Sequence, residues 1–243
     1  MKALMMAALA ISSFYVSATA YYSSDYKFVK TTSLSLPASE LAQLKIDAGA
    51  GSLKLIGEET DKISVTAEIY QLSDGGDYCL DLTEQDNKAL LKANVCHHRE
   101  NDTLVHLSIT VPQNLVTHIK DGSGSMNVSH ASIQSIDDGS GSIIIKDNLI
   151  SLEIDDNSGG IEVLSVQGEL DIDDDSGKIL VEDIKGNVRI EDGSGKVVVE
   201  NVTGKVSVDD GSGSISVRNA QSFELIDDGS GKVNLRNIRD QQN

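Results

Sequence analysis

Apolar and polar residues alternate over much of the chain, and beyond residue 120 the alternation acquires a fixed period. Met126 and Val128 open a series of apolar pairs two residues apart, continued by Ile143 and Ile145, Ile161 and Val163, Ile179 and Val181, Val197 and Val199, Ile215 and Val217, and Val233 and Leu235. A turn precedes each pair. Its first residue is Asp at 121, 138, 156, 174, 192, 210 and 228, so one step of 17 residues is followed by five of 18. Ser holds the third place and Gly the fourth in every copy, from Ser123-Gly124 to Ser230-Gly231. Period-two alternation of β-branched residues predicts half-buried strands, and the Gly-Ser-Gly clusters predict tight turns between them.

Between successive copies lies a second nonapeptide, such as NVTGKVSVD from Asn201 to Asp209, with its own turn and strand. DIKGNVRIE and SVQGELDID keep that form, whereas HASIQSID is one residue short and NAQSFELID shifts its apolar phase, which predicts a small bulge in each. Every 18-residue unit then reads strand, turn, strand, turn. An antiparallel meander would leave one apolar face bare, because the chain offers almost no helical period to cover it. Coiling removes the difficulty: inward Val and Ile of two facing sheets fill one narrow core, each worth roughly 1.5–3 kcal/mol when fully buried. The expected fold is therefore all-β, a single-stranded parallel β-solenoid (β-helix) of two facing sheets with two nonapeptides per coil. About six coils at roughly 4.8 Å would give this segment a length of some 30 Å.

The expected solenoid domain spans 42–238, with regular repeats over 121–236 and looser grammar before them. LKIDAGAGSLKLIG, from Leu44 to Gly57, has a Gly-rich turn followed by Leu53 and Leu55, and KISVTAEIY and TLVHLSITVP are further strand candidates. Residues 71–102 depart from the pattern, and the polar end NIRDQQN, with 239–243 as a tail, suits a cap against edge-to-edge growth. Residues 21–41 read as a leader or end cover carrying Tyr21, Tyr22, Tyr26 and Phe28.

The first 20 residues, MKALMMAALAISSFYVSATA, are expected to leave the chain. Lys2, an apolar run to Val16 and Ala18-Thr19-Ala20 make a signal peptide cut between Ala20 and Tyr21. The run is too short to span a bilayer, so no transmembrane segment is expected after cleavage, and the protein is expected to be exported to the periplasm, the cell surface or beyond. The remaining length, roughly 220 residues, suits one elongated domain or two small ones. With 38 acidic residues against 20 basic ones the formal charge is −18, which argues against nucleic acid and anionic lipid as partners. Six tyrosines, three phenylalanines and no tryptophan leave little for an aromatic binding groove.

The order LKIDAGAGSLKLIGEETDKISVTAEIY, then LSITVPQNLVTHIKDGSGSMNV, then the repeated D-x-S-G turns resembles the toastrack-type putative adhesin family of bacterial β-strand-repeat domains, over about residues 42–238. The resemblance implies an exported or membrane-tethered envelope protein, in some members linked to stress signalling, and supplies no catalytic residues. This chain departs from it in its two-cysteine segment and in lacking an anchor.

Enzymatic chemistry is not expected. The serines stand in Gly-Ser-Gly turns and not in a G-x-S-x-G elbow, and there is no P-loop, dinucleotide fingerprint or H-E-x-x-H. His106, among Val105, Leu107 and Ile109, is expected to face solvent. Two functions from different classes fit. One is an adhesive or scaffolding rod that presents its faces, with outward Leu180 and Val198 as stack neighbours, to an envelope protein or surface glycan. The other is a divalent-cation-binding module or an accessory to envelope-stress signalling, with no further cofactor.

Cys79 and Cys96 flank TEQDNKALLKAN and read as a disulfide in an exported chain; Cys96-His97-His98 beside Cys79 offers the alternative of a metal site, hampered by the opposite directions of adjacent strand residues. In a stacked solenoid the turn-opening aspartates form one ladder, and Asp137, Asp155, Asp173, Glu191, Asp209 and Asp227 a second. Like charges about 4.8 Å apart repel by roughly 0.9 kcal/mol per pair even in water. Asx-turn hydrogen bonds and solvent screening would relieve the repulsion; the sharper alternative is Ca²⁺ between coils at Asp138, Asp156, Asp174, Asp192, Asp210 and Asp228. Either way stability should respond to salt.

Overall fold

The computed structural model describes residues 25–72, 78–94, 96 and 103–240. The expected signal peptide with its Ala20–Tyr21 junction, Tyr21, Tyr22, His97 and His98 all lie outside the described residues. Among those described there is no helix, and the alternating segments form 19 strands. They are β1 (Lys27–Pro37), β2 (Gln43–Ala48), β3 (Leu53–Glu58), β4 (Lys62–Gln71), β5 (Cys79–Gln85), β6 (Lys88–Asn94), β7 (Thr103–Pro112), β8 (Val116–Asp121), β9 (Gly124–Ser129), β10 (Ile133–Asp138), β11 (Gly141–Asn148), β12 (Leu152–Asp156), β13 (Gly159–Val166), β14 (Leu170–Asp174), β15 (Gly177–Ile184), β16 (Val188–Asp192), β17 (Gly195–Asp210), β18 (Gly213–Asp228) and β19 (Gly231–Asp240).

These strands build a parallel β-solenoid of about seven turns with equivalent positions about 18 residues apart. One parallel stack runs β7, β3, β9, β11, β13, β15, then the first half of β17, β18 and β19; the other runs β6, β2, β8, β10, β12, β14, β16, then the second halves of β17 and β18. The register repeats like on like: Ile143, Ile161, Ile179, Val197 and Ile215 form one inward column, and Ile136, Ile154, Ile172, Ile190 and Val208 face them from the other stack. All ten are buried.

Close coil spacing explains the invariant fourth-place glycine. Gly141 has φ +140°, in the region side chains avoid, and a Cβ there would sit 1.6 Å from the Gly124 carbonyl oxygen of the coil below. The two expected bulges are present, one between Ile133 and Ser135 and the other split over Val202/Lys205 and Val208/Asp209 where β17 meets β18. At the first, the buried Asn148 side chain patches the ladder: its Oδ1 accepts the Ile133 N–H at 2.8 Å and its Nδ2 donates to the Ile133 carbonyl at 3.0 Å.

The N-terminal end is more involved than an irregular excursion. β6 is a rung of the solenoid, parallel to β2 through Leu44↔Ala89 and Ile46↔Leu91, so part of 71–102 belongs to the stack. β2 and β3, first in the chain after β1, are thereby enclosed between later strands. Antiparallel β4 and β1 cover the edge of one stack and antiparallel β5 covers the other. β1 is thus an end cover, with Phe28 edge-to-face on Tyr70 at 5.5 Å. The opposite end differs from the expected cap: Asn237–Asp240 continue β19 as a rung, with Asp240 paired to Ser222, and Val233 is 37% and Ile226 51% exposed.

Candidate functional site

Cys79 and Cys96 form a disulfide, with Cα atoms 5.2 Å apart. It ties the first residue of β5 to the residues just beyond β6, across the Cys79↔Asn94 end of that hairpin. His106 departs from its expected solvent position. It stands on the outer face of β7 but is half-covered: its Nδ1 accepts the Ser52 backbone N–H at 2.9 Å, and the Tyr70 ring lies edge-on at 5.2 Å. Burial pushes its pKa down, with Glu68 opposing. Leu180 and Val198 are outward stack neighbours as expected, each half-buried.

The second acidic ladder, from Asp137 to Asp227, faces outward, and surface cations pair with two of its members, Asp137 and Glu191. Lys120 reaches Asp137 at 2.5 Å, and Arg189 pairs with both Asp171 and Glu191. Such exposed pairs are worth about 1 kcal/mol or less each.

The turn-opening ladder is a different environment. Its pairs Asp121↔Asp138, Asp138↔Asp156, Asp156↔Asp174, Asp174↔Asp192, Asp192↔Asp210 and Asp210↔Asp228 are in register, one coil apart. From Asp121 to Asp210 these residues are only 1–4% exposed, so solvent screens them less than the sequence leads one to expect. The expected Asx-turns are present: Oδ1 of Asp156, Asp174, Asp192 and Asp210 accepts the backbone N–H of the Ser two residues on, at 3.1–3.2 Å. Asp138 is held more loosely, its neighbouring Ser140 and Gly139 amides falling short of full hydrogen-bond geometry. The Oδ2 atoms of Asp121, Asp138, Asp156, Asp174, Asp192 and Asp210 are buried without a partner. Burial, first, and neighbouring carboxylates push the pKa of Asp121 and Asp192 up to about 7, and those of Asp138 and Asp174 to about 6. Asp156 and Asp210 are raised too, again mainly by burial. Among the described residues no three His, Cys, Asp or Glu side chains are grouped as a metal ion would need.

A third column escaped the sequence reading. Ser165, Asp183, Asn201, Asn219 and Asn237 begin the second nonapeptide of successive coils, and all have φ between 55° and 70°. Asn and Asp tolerate this left-handed conformation, and their recurrence at an 18-residue step before each second strand was the signal available. Their side chains hydrogen-bond up the stack: Asn201 Nδ2 donates to Asp183 Oδ1 at 3.0 Å, Asn219 Nδ2 to Asn201 Oδ1 at 2.8 Å, and Asn237 Nδ2 to Asn219 Oδ1 at 2.9 Å. This ladder forms one lip of a groove of about 910 Å³ running along the side of the rod. Ile184, Val202, Ala220 and Ile238 also line it, with the polar Gln167, Lys185, Thr203, Gln221 and Arg239. Among the described residues the groove holds no histidine, cysteine or aromatic ring, and its one carboxylate is Asp183. That inventory can recognise a polar chain by hydrogen bonds.

Rod, groove and inward acid column together define a parallel β-solenoid with a polar groove along one side. No protein-family profile matches the chain, and no curated protein matches it in sequence. Solved structures align with it over most of its length. A putative adhesin from Bacteroides fragilis aligns over 86% of this chain and 97% of its own, with a TM-score of 0.51 at 16% identity. A putative cell adhesion protein from Clostridium sporogenes aligns over 86% and 99%, with a TM-score of 0.37 at 12% identity. A putative lipid binding protein from Parabacteroides distasonis aligns over 83% and 96%, with a TM-score of 0.40 at 11% identity. The Bacteroides likeness shows that the fold resembled in sequence is the fold adopted.

Proposed function

We propose that this chain is an exported, non-catalytic envelope protein whose rigid rod presents its side groove to a surface partner, as an adhesive or scaffolding element. The observation that carries this reading is the groove itself: polar side chains repeat at coil spacing over five coils, amides or hydroxyls in all but the Asp183–Lys185 coil, beside a column of left-handed residues. A preorganised repeating surface binds a repeating or extended partner with little ordering cost. Three further points support it. The first 20 residues carry the signal pattern, the Cys79–Cys96 disulfide suits an oxidising compartment, and the Bacteroides protein that shares the fold is named a putative adhesin.

The test is capture of envelope proteins and glycans by the purified rod, compared with a variant in which Thr203→Arg and Gln221→Arg fill the groove. Both side chains are exposed on β17 and β18, outside the core, so the circular dichroism spectrum should be unchanged. The expected outcome is a captured partner that the variant loses at least tenfold. Equal capture by both proteins would place binding elsewhere on the rod and refute the groove.

A further inference from the structure

The six inward aspartates cannot all be charged at little cost. Removing a carboxylate from water without pairing it is among the largest penalties in a protein interior, and such groups neutralise instead. Each neighbour in the column is another acid one coil away, about 4.8 Å in a parallel sheet. The flanking outer residues Asp137, Asp155, Asp173 and Asp209, and the turn residue Asp175, are acids as well. The neighbouring charges that push the column's pKa values up are carboxylates, of the column itself and of Asp137, Asp155, Asp173, Asp175 and Asp209. Lys120 and Arg189, the nearest cations in sequence, are engaged on the outer face. The turn itself does not demand an acid. Ala48 and Ala93, paired in register, hold the equivalent place in the first rungs, beneath Asp121.

We propose that this column is a proton-binding site: at neutral pH neighbouring carboxylates of successive coils share protons through their otherwise unpartnered Oδ2 atoms, so the folded rod holds protons that the unfolded chain releases. A shared proton turns each repelling pair into an O–H donor and an acceptor, and satisfies the buried oxygens without a metal ion. The same acids that would strain the rod when ionised then link its coils along the stack. The raised pKa values agree in direction.

The sign of the pH dependence follows. An unfolded Asp titrates near about 3.9, whereas Asp121 and Asp192 titrate near about 7 in the rod. Between those values the folded state binds more protons, so stability falls as pH rises across that window and levels off above it. The half-buried His106 and His118, both lowered mainly by burial, act in the opposite sense and must be separated from the column.

The experiment compares the full chain with the triple variant Asp138→Asn, Asp174→Asn, Asp210→Asn. Asn keeps the Oδ1 acceptor for the turn and mimics a protonated acid with its Nδ2. Proton release on urea unfolding at pH 6.5 is measured by back-titration in weak buffer. The expected result is at least one more proton released by the native sequence than by the variant, and a melting temperature that falls from pH 5 to pH 8 with at least twice the variant's slope. Equal release and equal slopes would overturn the proposal. Should the variant not fold, the infrared carbonyl stretch of protonated carboxyl groups serves on the native protein alone. It should be present at pH 6.5 and vanish on unfolding, and its absence from the folded state would also refute the site. A third outcome, millimolar Ca²⁺ raising the melting point beyond a matched ionic strength of NaCl while expelling protons, would make the column a cation site and contradict proton sharing.

Discussion

At the scale of single residues, the fourth-place glycines and the turn aspartates show two ways in which stacking changes what a side chain can be. Gly141 has no alternative, because its Cβ would overlap the Gly124 carbonyl. Gly160, one residue beyond the equivalent Gly159, has nothing nearer than the Lys178 carbonyl oxygen at 3.9 Å. Gly141→Ala should therefore cost at least about 2 kcal/mol, and Gly160→Ala should stay within about 0.5 kcal/mol of the native protein. Urea midpoints at unchanged slope check both. The aspartates were legible as a column but not as a buried one. Alternation carried one step further would have shown it: Asp156 is two residues past inward Ile154, and Asp174 two past Ile172, so each shares the core face. Charge argued for the surface and the phase argued for the core, and the phase won because the turn holds Oδ1 in place. The left-handed column was missed for a different reason. Ser165, Asp183 and Asn201 share an 18-residue step but differ in identity, and their common left-handed φ shows only in the structure.

Among the elements, the regular strands from β9 onward were readable because each repeats its neighbour's phase, down to the bulges in HASIQSID and NAQSFELID. The N-terminal strands were not, since the alternation of Lys88–Asn94 says that β6 is a half-buried strand but not which strand it joins. Its pairing with β2 depends on the chain returning past a rung already laid down. The disulfide fastens that return. Closing a loop of sequence separation 17 contributes about 3 kcal/mol in the chain-entropy account. Reduction should lower the melting temperature by several degrees. Because a solenoid contact reaches only adjacent coils, loss of amide protection after reduction should concentrate in β5, β6 and β2, with β13 to β17 unchanged. Uniform loss of protection along the rod would show that the end and the repeats unfold as one unit.

For the whole molecule, the consequence of stacking like on like is that length and fold are separable. Each coil buries its Ile and Val against the coils above and below, and each coil from Asp121 onward contributes one aspartate, one glycine and one left-handed residue to the three columns. Groove and proton site are then properties of the stack and not of any coil, which is why no single copy of the repeat looks like a functional motif. The rod is held at one end by β1, β4 and β5 and runs on to β19 at the other, so a coil taken from the middle should let the remainder close up in register. Deleting residues 175–192 removes one 18-residue unit and brings Asp174 into register with Asp210. Deleting only 184–192 removes half a unit and would set the strands of one stack against those of the other. Circular dichroism and small-angle scattering of these two deletions test the stacked-coil account most directly. The 18-residue deletion should keep the β spectrum and a cooperative melt, with a rod shorter by about 4.8 Å, while the nine-residue deletion unfolds or aggregates. If both deletions behave alike, whether folded or not, the in-register solenoid is contradicted.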